Sequence, residues 1–200
     1  MLPMAFVMIA GPQILSAIFL VTSENWRANS FAYLAGASLS ITAIVSIAFV
    51  AQIGAVHGGV DKDWIYVVIL VLLVFAAWHT FAKRKESEPP KWMGRLQDAS
   101  PGFAFKLGFL LLGVFPTDIL TSFAVGSYLS SHGDPWWHFL PFLALTMLLL
   151  ASPLIMVLAG GQRARAFLPK ARDWMNDNSW VVSEVVILFF IAITANSLAG

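Results

Sequence analysis

The chain of 200 residues has no cysteine. Disulfides, thiolate metal sites and dithiol relays are therefore excluded. Charge is also scarce: 12% of residues are charged, with a formal net charge of +1. That balance gives no reason to expect a nucleic-acid partner. There is no phosphate-binding glycine loop, no nucleophile elbow and no HExxH helix. These absences argue against an ATP-driven pump within this chain and against most hydrolases. We expect no enzymatic activity, no cofactor and no bound metal.

What the chain does have is apolar length. It is 58% hydrophobic with a mean hydropathy of +0.77. A bilayer core of roughly 30 Å takes about 20 apolar residues to cross. Six segments qualify: Met1–Thr22, Ala28–Ile53, Trp64–Ala82, Pro101–Ser130, Trp136–Ala159 and Ser179–Ala199. The sequence thus predicts an all-α integral membrane protein with six transmembrane helices. The start, Met1-Leu2-Pro3-Met4, has no basic stretch, so the first segment reads as a retained span rather than a cleaved signal peptide.

Basic residues orient the spans. Arg27, the cluster from Lys83 to Lys106, and Arg163, Arg165, Lys170 and Arg172 all fall in or beside loops on one side. Lys62 alone falls on the other. The positive-inside rule puts those loops in the cytoplasm and both termini outside. The expected location is the cytoplasmic (inner) membrane of a prokaryote. Trp26, Trp78, Trp174 and Trp180 mark the inner ends, and Trp64, Trp136 and Trp137 the outer ends, as interfacial anchors. His57, His132 and His138 lie towards the outside and His79 towards the inside, with no metal-binding spacing.

The longest polar stretch, residues 83–100, is a linker between residues 1–82 and 101–200. Three spans on each side is an odd number, so the halves would be two inverted three-helix repeats. Within the linker, residues 91–98 have the pattern of a short interfacial helix. Ser100-Pro101 reads as an N-cap and first helical position. Residues 161–178 read as a basic loop lying on the headgroups.

Asp118 lies inside the fourth span, two residues after Pro116. A carboxyl at the centre of a span costs about 2.5–3.5 kcal/mol on insertion scales, so its default reading is functional. Packing against hydroxyls is the duller alternative. A proton-carrying role is chemically open, because no lysine or arginine shares that depth. Thr121, Ser122, Gly126 and Ser130 continue a small, polar stripe at helical spacing. The first span has a proline at a matching place, in Gly11-Pro12-Gln13. Paired mid-span breaks are the pattern of transporter sites. Candidate substrate- or ion-binding residues are therefore Pro12, Gln13, Pro116, Thr117, Asp118, Thr121 and Ser122. In the second span, Ala28, Ala32, Gly36 and Ser40 form a packing face, with Ser38, Thr42 and Ser46 roughly opposite. Ser152-Pro153 makes a third irregular point.

Three stretches carry a resemblance: Arg27-Ala28-Asn29-Ser30-Phe31-Ala32-Tyr33-Leu34-Ala35-Gly36, Pro90-Lys91-Trp92-Met93-Gly94-Arg95-Leu96, and Pro101 to Gly108 leading to Pro116. The chain resembles the GAP family, the glycolipid- or sulfolipid-addressing membrane proteins of the lysine-exporter (LysE) superfamily. The resemblance implies two inverted three-helix repeats, and export or translocation of lipid-like molecules. It covers the whole chain, with one departure. Many relatives carry Asn-Pro-Lys in the fourth span, where this chain has Phe115-Pro116-Thr117 followed by Asp118. A headgroup held by that lysine would lack its partner here, so the sign of the cargo does not carry over.

The expected function is a small membrane transporter that exports or flips a lipid-like or amphipathic molecule. The alternative is a non-transporting scaffold for a lipid-handling machine. Expected partners are membrane lipids and a lipidic or amphipathic cargo, with a homodimer or a partner membrane protein left open.

Overall fold

The structure is a computed structural model and describes residues 4–9, 11–58, 96 and 98–177. The expected third and sixth spans, His79 and most of the linker helix lie outside the described residues. Among the described residues every regular element is helical. They are α1 (Met4–Ile9), α2 (Pro12–Val21), α3 (Trp26–Gly58), α4 (Pro101–Val114), α5 (Pro116–Ser131), a 3-10 turn (Trp136–Phe139), α6 (Leu140–Leu150) and α7 (Ser152–Asp177).

Two stretches, Trp26–Ala51 and Trp136–Ala164, are long and apolar enough to cross a membrane. A third is broken: α4 and α5 meet at 70°. Chemistry local to Pro116 explains the break. Proline has no N–H to continue the ladder and disfavours helical backbone in the residue before it. Phe115 is accordingly extended, with φ −65 and ψ 127. The first span breaks by a different device. Gly11 takes φ 119 and ψ −141, a conformation that side chains rarely adopt, and Pro12 then opens α2. At the start of α4, Ser100 Oγ accepts from Phe103 N–H at 3.3 Å, which is the expected cap.

The core forms around α3. Tyr33, Ala37, Ile41, Val45 and Ala48 line its buried face, while Phe31, Leu39, Ile47 and Val50 are exposed. An apolar residue on an exposed face is normal where the solvent is hydrocarbon. The buried face packs along both α4 and α5. Glycines allow this approach. A Cβ on Gly36 would strike the Phe105 backbone, one on Gly108 the Tyr33 carbonyl, and one on Gly126 the Val45 carbonyl. Of the small-residue face of the second span, Gly36 and Ser40 are buried in this packing, Ala32 is half-buried and Ala28 is exposed. Of the opposite stripe, Ser46 bonds the Thr42 carbonyl at 2.6 Å and accepts from Trp136 Nε1 at 3.1 Å.

The stretch expected as the first span packs mainly α1 against α6 and α2 against α7, with further contacts of α1 to α5 and α2 to α3. Ile18 and Val21 of α2 form a second cluster with Leu154, Val157, Ala164 and Leu168 of α7. That cluster corrects the expected basic loop over residues 161–178. The chain turns at Gly161, with φ 54 and ψ −128, and then continues as helix to Asp177. Ala164 and Leu168 hold this second part against α2. Ser152-Pro153 is a mild irregularity. Ala151 stays near helical backbone and its carbonyl accepts from Ile155 N–H at 2.8 Å.

Candidate functional site

The two breaks meet. Gln13 is the second residue of α2, and Asp118 is the third residue of α5. Gln13 Nε2 donates to Asp118 Oδ2 at 2.6 Å, across 105 residues of chain. Each side chain stands in the first turn after a break, so the N-termini of two half-helices converge on one hydrogen bond. Gln13 is 1% exposed and Asp118 is 0% exposed.

Tyr33 supplies the third element. Its hydroxyl donates to the Gln13 carbonyl at 2.9 Å, which ties α3 to the first turn of α2. Ser16, one turn further along α2, bonds the Pro12 carbonyl at 2.6 Å. Ser122 lies one turn beyond Asp118 and is buried. At this joint three buried polar atoms have no partner: Gln13 Oε1, Asp118 Oδ1 and Ser122 Oγ. Buried polar atoms are normally paired, so three orphans in one place call for an explanation.

The predicted site residues divide into two groups. Gln13, Asp118 and Ser122 come together as buried polar groups. Pro12, Pro116 and Thr117 shape the breaks: Pro12 is half-buried, and Pro116 and Thr117 are exposed. Thr121 Oγ1 turns back to the Thr117 carbonyl at 2.7 Å. Gly126 carries helix packing rather than a polar surface. Among the described residues no cluster of His, Asp or Glu is suited to a metal ion.

Three polar residues of α3 escaped the sequence reading as site elements. Tyr33 is one. Asn29, fully buried, donates Nδ2 to Ser23 Oγ and to the Ala99 carbonyl, both at 2.8 Å. Ser30 Oγ is buried and unpartnered. Ser30 and Tyr33 line a cavity of about 10 Å³ with Ala17, Leu34, Leu150 and Leu154. That is room for about one water. The available signal was their spacing: Asn29, Ser30 and Tyr33 share one side of a helix in an otherwise apolar run.

Apolar spans, a bent helix pair and a buried carboxyl–amide joint between two breaks define a helical membrane protein with its polar groups gathered at discontinuous helices. A family model described as Sap, sulfolipid-1-addressing protein, matches residues 1–198. The chain belongs to that family, whose description refers to sulfolipid addressing. No curated protein and no solved structure matches the chain.

Proposed function

We propose that this protein is a small transporter that exports or flips a lipid-like or amphipathic molecule across the cytoplasmic membrane of a prokaryote. The observation that carries the reading is the Gln13–Asp118 hydrogen bond at 2.6 Å. It joins two helix breaks from opposite halves of the chain. Discontinuous helices meeting at mid-membrane are how many secondary transporters build a site. The family's lipid-related name supports a lipidic cargo.

We infer two inverted three-helix repeats, residues 1–82 and 101–200 around the 83–100 linker, with six spans and both termini outside; the contacts among the described helices support the repeat. Exchanging the halves swaps the first span with the fourth and the second with the fifth. The first span packs on the fifth, through α1 on α6 and α2 on α7. The fourth packs on the second, through α4 and α5 on α3. Each contact is the image of the other under that exchange. Membership in the lysine-exporter superfamily belongs to the same proposal and rests on the resemblance in sequence.

The test is reconstitution into liposomes with labelled lipids, comparing wild type with Asp118→Asn. Cargo movement by wild type, with at least a tenfold loss in a folded mutant, is the expected result. Equal movement by both would remove the joint from the mechanism. No movement by wild type with any lipid offered would favour a scaffold. That second reading has its own support in α7 after Gly161, where Arg163, Phe167, Lys170 and Trp174 are exposed on one segment. It would suit headgroups or a partner membrane protein.

A further inference from the structure

We propose that Asp118 is a proton-carrying carboxyl, and that its loaded form is a cyclic acid–amide pair with Gln13 which clasps the two helix breaks together. The proposal rests on the reading of this joint as the transport site and names the ion that would work it.

The joint is one hydrogen short. Gln13 Oε1 and Asp118 Oδ1 are both buried and unpartnered. An amide oxygen only accepts, and so does an ionised carboxylate oxygen. Oδ1 and Oδ2 share one carbon, as do Oε1 and Nε2. Nε2 is already bonded to Oδ2 at 2.6 Å, and the proposal pairs the two remaining oxygens of the same two planar groups. A proton on Oδ1 turns it into a donor, and Oδ1–H to Oε1 closes an eight-membered ring. Both orphans are then satisfied by one hydrogen.

The charged alternative is poorly supported. A buried carboxylate is tolerated when a cation or several donors hold it. The described residues of α1, α2, α5 and α6 carry no lysine or arginine. On α3, Arg27 stands at the first turn, two turns before Tyr33. On α4, Lys106 is exposed and lies ten residues before Pro116. Among the described residues Tyr33 is a titratable group at this joint, and its hydroxyl is committed to the Gln13 carbonyl. Tyr128, His132, Asp134 and His138 sit at or beyond the far end of α5; Asp134 is partly exposed and the other three are exposed.

The surroundings offer one place for water and, on α5, unpartnered hydroxyls. The 10 Å³ cavity at Ser30 and Tyr33 lies towards the start of α3. In the other direction Ser122 and Ser130 of α5 have buried, unpartnered hydroxyls. Loading moves one proton from water to Oδ1. An O–H bond forms, the carboxylate charge is cancelled and no electron is transferred. Unloading returns the proton to water, and the clasp falls back to a single hydrogen bond. Helix joint and proton are thereby linked: whatever separates the breaks favours release.

Infrared spectroscopy of the reconstituted protein tests this directly. Wild type should show a protonated-carboxyl stretch that titrates with pH. The band should be lost in Asp118→Asn, and in Gln13→Leu it should persist at a frequency characteristic of a weaker hydrogen bond. If Asp118→Asn does not fold, Asp118→Glu replaces it and must move the band. No titrating band assignable to Asp118 would overturn the proposal. A band unmoved by Gln13→Leu would overturn the acid–amide pair. Failure of lipid movement with the titration intact would instead strike only the transporter reading.

Discussion

The Gln13–Asp118 bond is best tested as a coupling energy. Gln13→Leu removes the amide and leaves Asp118 with no side-chain partner. Asp118→Leu leaves the amide equally stranded. Both positions are at most 1% exposed, so neither orphan recovers its bond from bulk water. A buried hydrogen bond to a charged group is worth about 1.5–3 kcal/mol, and a neutral one about 0.5–1.5 kcal/mol. The N···O distance of 2.6 Å is at the short, strong end of the range. Each single substitution should therefore destabilise by about 1–3 kcal/mol, since the cost includes desolvation of the group left behind. The double substitution removes both polar groups and should cost much less than the two singles together. A coupling of about 0.5–3 kcal/mol is expected for residues in contact. Tyr33 is an internal control, because its hydroxyl bonds the Gln13 main-chain carbonyl and survives any change of that side chain. Equilibrium unfolding in mixed micelles, followed by tryptophan fluorescence and circular dichroism, gives the four stabilities. Additivity to within about 0.3–0.5 kcal/mol would show that the two side chains do not interact and would refute the joint.

Two further predictions concern glycines. Gly36→Ala and Gly108→Ala each put a methyl into a facing backbone across the α3–α4 contact, and should destabilise by about 1–3 kcal/mol in the same unfolding assay. Gly102→Ala meets open space near the start of α4 and should stay within about 0.5 kcal/mol of wild type. Gly11→Ala asks a side chain to adopt φ 119, at a cost of about 1–3 kcal/mol. Spin labels on α1 and α2 should report a changed angle across the first break, and an unchanged angle with unchanged stability would refute the role given to Gly11.

The breaks were legible in the sequence because their causes are local. Proline removes a donor wherever it stands and constrains its predecessor, so Pro12 and Pro116 announced discontinuities without any knowledge of the fold. Ser100-Pro101 was readable as a cap for the same reason. Asp118 stood out because a carboxyl in an apolar run is costly. The partner of Asp118 was harder to read. Gln13 was singled out only as an amide beside a proline, and the contact over 105 residues comes from how α3 carries α4 and α5 while α1 reaches α5. Hydroxyl stripes were read less well. Helical spacing puts Thr121 near Asp118, but it cannot say that Oγ1 turns back to the Thr117 carbonyl. Residues 161–178 read as a basic loop because basic residues are mixed there with Phe167, Leu168, Trp174 and Met175. Burial of Ala164 and Leu168 against α2 outweighs that local signal.

The chemistry of the joint also bears on the sign of the cargo. The N-termini of α2 and α5 converge there, and helix N-termini favour negative groups. Asp118 sits in that first turn, with its own N–H bonded to the Phe115 carbonyl at 3.1 Å. The half-helix dipoles thus partly offset a carboxylate that lacks a cation. A lysine following Pro116 would put a positive charge at the same helix end and need an anion to hold it. Thr117 removes that requirement and Asp118 supplies a fixed acid instead. An anionic headgroup brought to this joint would meet a carboxyl, two acceptor oxygens and no basic side chain among the described residues. A proton on Asp118 cancels the repulsion and turns one acceptor into a donor. In the clasp that donor is committed to Gln13, so a cargo entering the joint would have to open the clasp, which favours proton release. Entry and loading would then compete at one carboxyl, the condition for exchanging one for the other.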